Sequence, residues 1–197
     1  MQSILFRQND INRCALRTRR QGAPICRPDR RNCILIDSHA HYDDERFDPD
    51  RDDVLNECVR HAVTHIVNAG SNIESSKKSV ELARKYPFVY AAAGVHPHDV
   101  SQCNDSTLDT LRELAGESKV VAIGEIGLDY YYKHSSPEAQ QQILKAQLKL
   151  ALECELPVVI HCRDSEADIL PLLEDYAREV PSTRLPGVIH CFTGTRE

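Results

Sequence analysis

Apolar, β-branched runs alternate with amphipathic helical stretches at intervals of about 30 residues, and this alternation restricts the possible folds more than any other feature of the chain. Six runs read as strands: Cys33–Ile36, Thr64–Val67, Phe88–Val95, Val120–Ile123, Pro157–Ile160 and Gly187–Ile189. Between them, Val54, Leu55, Cys58, Val59 and Ala62 recur at helical spacing after an Asp48-Pro49 start signal. Leu144, Leu148, Ala151 and Leu152 do so after Ser136-Pro137, and Ile169, Leu170, Leu173 and Tyr176 after Asp164. Shorter helical patterns lie around Val80–Tyr86 and Leu108–Ala115. A strand that feeds a helix that feeds the next strand requires parallel pairing through crossovers, so the class is α/β.

Two parallel architectures fit this class. A doubly wound sheet normally places a Gly-rich phosphate turn after its first strand, whereas this chain has His39-Ala40-His41 there. A TIM-type (β/α)8 barrel sets its chemistry at the C-terminal ends of several strands. Here His39 and His41 end the first strand, Glu125 the fourth, His161 the fifth and His190 the sixth. That distribution selects the barrel. Such barrels typically need about 250 residues, so the expectation is an incomplete one of about six βα units, with apolar edges on its first and sixth strands.

The chemistry follows from those strand ends. Residues i and i+2 of a strand face the same side, so His39 and His41 can offer two imidazoles to one point, although a surface pair has the same spacing. Glu125, close to Gly124 and Gly127, is by itself as compatible with a salt bridge, and His161 or His190 alone with a hydrogen-bonded core histidine. Gathered on one rim, four imidazoles and a carboxylate suit two divalent ions (Mg²⁺, Mn²⁺ or Zn²⁺) sharing Glu125. Such a pair can activate water and clamp the oxygens of a displacement at phosphorus, which makes hydrolysis the expected reaction. No G-x-S-x-G elbow supports a covalent alternative. His96 and His98 are candidate substrate contacts or an ordinary turn. Arg163 is a candidate phosphate ligand or a helix-capping ion pair. Thr193-Gly194 offers backbone N–H groups to an anion, Asp37 reads as a buried acceptor behind the histidines, and Tyr130, Tyr131 and Tyr132 either stack on bases or cover a helix.

Residues 1–33 carry eight arginines and two aspartates, a charge of +6, which leaves −12 on the remainder of a chain whose net charge is −6. An acidic body engages a polyanion only locally, through metal and a few cations. The leader has no sustained apolar period. It reads as a poorly ordered N-terminal extension rather than a transit peptide or a basic nucleic-acid arm, with the hydrolase barrel spanning 34–197. Eight cysteines without a C-x-x-C pair imply a reducing, cytoplasmic setting. No run of about 18 apolar residues suggests a membrane span.

Asp37-Ser38-His39-Ala40-His41, Gly94-Val95-His96-Pro97-His98, Gly124-Glu125-Ile126-Gly127-Leu128-Asp129-Tyr130, His161-Cys162-Arg163-Asp164 and His190-Cys191-Phe192-Thr193-Gly194 together resemble the TatD-type metal-dependent deoxyribonucleases of the amidohydrolase-like superfamily. The resemblance covers residues 34–197 and none of the leader. It implies His39 and His41 on one metal, Glu125 bridging, and His161 and His190 on the second, in a complete enzyme that is monomeric and trims DNA exonucleolytically. The family's remaining ligand, an aspartate that is also the expected general base, falls beyond Glu197 and has no match in this sequence. Two rival readings are an acyl hydrolase, such as a D-aminoacyl-tRNA deacylase, and an inactive fragment.

Overall fold

The computed structural model describes residues 34–192; the readings of the Arg-rich leader and of Thr193-Gly194 fall outside them. Strands β1 (Leu35–Ala40), β2 (Val63–Ala69), β3 (Val89–Ala93), β4 (Val120–Asp129), β5 (Val158–Arg163) and β6 (Gly187–His190) form one parallel sheet in sequential order. Helices α1 (Arg51–Arg60), α2 (Ile73–Lys85), α3 (Thr107–Ala115), α4 (Pro137–Glu153) and α5 (Glu166–Glu179) each follow a strand. A doubly wound sheet would reverse its strand order at a switch point. Unbroken sequential order is that of consecutive βα units in a TIM-type barrel, as the alternation predicts. The sheet curls until side chains at the ends of β1 and β6 touch, yet those two strands do not pair. Ile36, Val188 and Ile189 remain about half exposed on them, the apolar edges expected of an incomplete barrel.

Stability resides between the sheet and its helices. Ile66, Ile123, Ile126, Leu128 and Ile160 from the strands meet Leu55, Leu111, Leu144, Leu150 and Ile169 from the helices, all essentially buried. Each such side chain contributes about 1.5–3 kcal/mol on burial. On the other face, Val67, Ala92, Ala122 and Val159 form a second, small cluster among the described residues. Val159 and His161 are two residues apart on β5, so this floor of small side chains lies directly beneath the rim.

Several boundaries differ from the sequence reading, and four of them have a clear local cause. Asp48 ends a 3-10 turn (Glu45–Phe47), bonding Glu45 O through its own N–H, so Asp50 and not Asp48 precedes α1. Helix α2 begins well before Val80, because the Asn72 side chain accepts the Ser75 N–H at 2.9 Å; its first turns bury Ser75, Ser76 and Ser79, residues an apolar pattern overlooks. Ser165 is the N-cap of α5, since Asp164 takes a left-handed φ of 52°. Finally, β4 continues past Glu125 to Asp129. Gly127 permits this with a φ of 151°, and a Cβ there would collide with the His161 carbonyl oxygen, so glycine lets β4 lie close against β5. At α4 the reading holds: Ser136 accepts the Ala139 N–H and Pro137 opens the first turn.

Candidate metal centre

The strand registers bring the rim residues together: His161 pairs with Gly127 on one side and with His190 on the other, and Asp129 pairs with Arg163. At the centre lies Glu125, 3% exposed. Its Oε2 is 3.2 Å from His39 Nε2 and 3.5 Å from His41 Nε2. Its Oε1 is 3.0 Å from His161 Nδ1, 3.6 Å from His190 Nε2 and 3.8 Å from His96 Nε2. Burial alone would raise the Glu125 pKa, but the His161, His39 and His41 rings hold it well below the usual carboxylate range. One ionised carboxylate therefore serves two sets of imidazoles, one per oxygen.

Hydrogen bonds outside the cluster fix which ring nitrogens face inward. His41 Nδ1 donates to the Ala69 carbonyl at 2.8 Å, which turns its Nε2 toward the cluster. His39 Nε2 lies 3.1 Å from that Nε2, and His39 Nδ1 is buried with no hydrogen-bond partner among the described residues. Asp37, as expected, accepts a bond behind the pair, from the His39 backbone N–H at 3.2 Å. His161 lies between two carboxylates, with Nε2 3.0 Å from Asp129 Oδ2 and Nδ1 3.0 Å from Glu125 Oε1, so a proton kept on Nε2 by Asp129 would free Nδ1 for a cation. His96 is the reverse case: its Nδ1 accepts the His98 N–H at 3.2 Å, which puts its proton on Nε2, toward Glu125. Burial pushes His96 down to about 3, and burial together with the neighbouring His39 pushes His190 down to about 4, so both are neutral at neutral pH.

This donor set fits a divalent cation. Lone pairs on His39 Nε2, His41 Nε2 and Glu125 Oε2, mutually 3.1–3.5 Å apart, repel unless a proton or cation lies among them. Adjacent ligands at about 2.1 Å from a metal are about 3.0 Å apart in an octahedron and about 3.4 Å in a tetrahedron. The sets His39, Glu125, His190 and His96, Glu125, His161 also have ligand spacing, and so does His161, His190, Cys191.

The structure separates the remaining candidates. His98 is tied to Asp129, its Nε2 donating to Oδ2 at 2.9 Å. The Arg163 guanidinium lies over the Tyr131 and Tyr132 rings. Tyr130 covers a helix, since its hydroxyl donates to Asp168 and accepts from Gln141. Asp129 is a further residue of the site, which the strand-end pattern does not single out. Fully buried, it accepts from both His161 and His98, and it stands two steps of two from Glu125, so period-2 counting along a longer β4 would have put both on one face. Two buried glutamines on α4 also lie outside that pattern. Gln147 pairs with both the N–H and C=O of Val95, next to His96, and Gln140 with both backbone groups of Asp129. Their signal was polar side chains recurring at i and i+7 on the apolar stripe of Leu144.

The comparisons with known proteins point to one family. The exonuclease described as 3′-5′ ssDNA/RNA exonuclease TatD from Escherichia fergusonii is 40% identical over 163 residues, which is 83% of this chain and 61% of that protein. A Bacillus subtilis protein described as uncharacterized metal-dependent hydrolase YabD is 36% identical over 83% of this chain and 63% of its own length. The crystal structure of YjjV, a TatD homologue from Escherichia coli K12, superposes with a TM-score of 0.72 at 32% identity, covering 83% of this chain and 62% of that one. The chain thus spans about three-fifths of the length of these relatives. The family model described as TatD related DNase matches residues 36–197, which carry every donor described above, and the chain belongs to that family.

Proposed function

We propose that this chain carries the metal-holding part of a phosphodiesterase that trims DNA from an end. The observation behind this reading is Glu125, whose two carboxylate oxygens face separate imidazole sets. On this reading His39, His41 and Oε2 hold one divalent ion, and His161, His190 and Oε1 hold a second, with Mg²⁺, Mn²⁺ or Zn²⁺ as candidates. Such ions, when bound, supply Lewis acidity toward a phosphoryl oxygen and toward water. The protein's own groups do the rest. Asp129 holds His161 with its Nδ1 toward Glu125, His96 presents an N–H beside Glu125, and His98 stands behind Asp129. Arg163, at the end of β5, is placed to fork onto a phosphate oxygen pair. The names of the TatD relatives support a nucleic-acid substrate. Free cysteines at Cys58, Cys103, Cys154, Cys162 and Cys191 are in keeping with a reducing cytoplasm. Among the described residues no helix is long and apolar enough to cross a membrane.

The test uses the longest chain the gene encodes, with Mg²⁺ or Mn²⁺ and end-labelled single-stranded DNA. Progressive shortening of the DNA, with D-aminoacyl-tRNA left acylated, is expected. Deacylation without shortening would assign the chemistry to carbonyl carbon instead.

A further inference from the structure

We infer that Tyr131 and Tyr132, with Arg163 packed on their faces, form a stacking platform for an unpaired nucleobase beside the candidate metal centre. This deepens the phosphodiesterase reading and rests on it for the identity of the substrate. The two rings are 57% and 50% exposed, while the adjacent Tyr130 is held by Asp168 and Gln141 against α5 and α4. The two rings meet edge to face, with centroids 4.8 Å apart and planes 84° apart, so they offer two separate surfaces around Arg163. They are also held in place: Asp129 Oδ1 accepts the N–H of Tyr131 at 3.0 Å and that of Tyr132 at 2.9 Å. The same carboxylate, through Oδ2, holds His161 and His98. One buried side chain therefore positions a ring of the metal cluster and the backbone of the platform.

The charge at the platform favours a polyanion. The Arg163 guanidinium carbon lies 4.7 Å from the Tyr131 ring centroid and 4.9 Å from that of Tyr132. Cation–π contact fixes the plane of the guanidinium and leaves its N–H donors for phosphate. Tyr132 continues toward the cluster through His98, with ring centroids 5.3 Å apart, and it stacks on His134 at 5.9 Å. An aromatic face next to a fixed guanidinium matches one nucleotide, base on ring and phosphate on Arg163. A base inside a duplex has both faces covered, so the platform selects single-stranded or frayed ends.

The experiment compares a single-stranded thymidine oligonucleotide with an abasic oligonucleotide of the same length and charge, using the full chain and fluorescence anisotropy. Wild type is expected to prefer the thymidine strand, and Tyr131→Ala to reduce that preference about tenfold. Because the sequence has no Trp, Tyr132→Trp supplies a single indole, whose emission should be quenched by the thymidine strand and not by the abasic one. An unchanged preference in Tyr131→Ala, or equal quenching by both strands, would overturn the platform. Hydrolysis of bis(p-nitrophenyl) phosphate, a diester without a base, is measured in parallel on wild type. Its absence overturns the phosphodiesterase reading, and the base-preference ratio is read independently of it.

Discussion

His39 at the end of β1 and His190 at the end of β6 lie face to face, with ring centroids 4.0 Å apart and planes within 9° of parallel, although four strands separate them in the sheet. Two positively charged imidazoles could not rest in that contact, and burial and proximity to His39 keep His190 neutral. The curl of the sheet and the neutral state of His190 are thus aspects of one arrangement. A barrel with strands less tilted or curled would hold these rings apart.

A centre built of converging lone pairs is stabilised by what it binds. At a free metal concentration about 100 times its dissociation constant, one ion adds about 2.7 kcal/mol. Dialysis against a chelator is therefore expected to lower the thermal midpoint, and readdition of Mn²⁺ or Zn²⁺ to restore it. A midpoint indifferent to metal would count against the centre.

The two oxygens of Glu125 divide the donors, so substitutions should divide the metal content. His41→Ala is expected to deplete one ion and His161→Ala the other, while Glu125→Ala depletes both. Elemental analysis after equilibrium dialysis reads this directly. Loss of the same ion from both histidine variants would show a single site.

Asp129 orients His161 without facing Glu125. In Asp129→Asn the charge is lost and an amide replaces one of the acceptor oxygens, so His161 should lose its fixed tautomer. Metal affinity is expected to fall about 10- to 100-fold, as is typical when the partner of a ligating histidine is changed. Titration calorimetry with Mn²⁺ would detect it, and unchanged affinity would return Asp129 to a purely local role in the turn at Tyr131 and Tyr132.

Gln147 and Gln140 tether the loops that carry His96 and Asp129 to α4. Gln147→Leu leaves the Val95 N–H and C=O without these partners, at about 1–3 kcal/mol for each buried group. A loss of about 3 kcal/mol in urea denaturation is expected, against less than about 0.5 kcal/mol for the exposed control Gln142→Leu. Equal effects of the two substitutions would deny Gln147 this role.

The sequence by itself determined the class, the strand count and the principal rim residues, because these depend on local period and on chain order. Alternating apolar runs cannot be buried except as parallel strands under helices, and a polar residue that breaks such a run has to leave the core at the strand's end. His39, His41, Glu125, His161 and His190 could be found in this way. Helix and strand ends were less legible. The Asn72 cap of α2 and the passage of β4 through Gly127 to Asp129 depend on side-chain bonds and on the close approach of β5, which a one-dimensional pattern does not encode. Only the tertiary structure decided the roles. It gave each oxygen of Glu125 its own imidazoles and set His161 between Glu125 and Asp129. It also separated Tyr130, fixed against two helices, from the exposed Tyr131 and Tyr132. Hydrogen-bond direction and solvent exposure arise when residues distant in sequence converge on one point, and strand register and sheet curvature set that convergence.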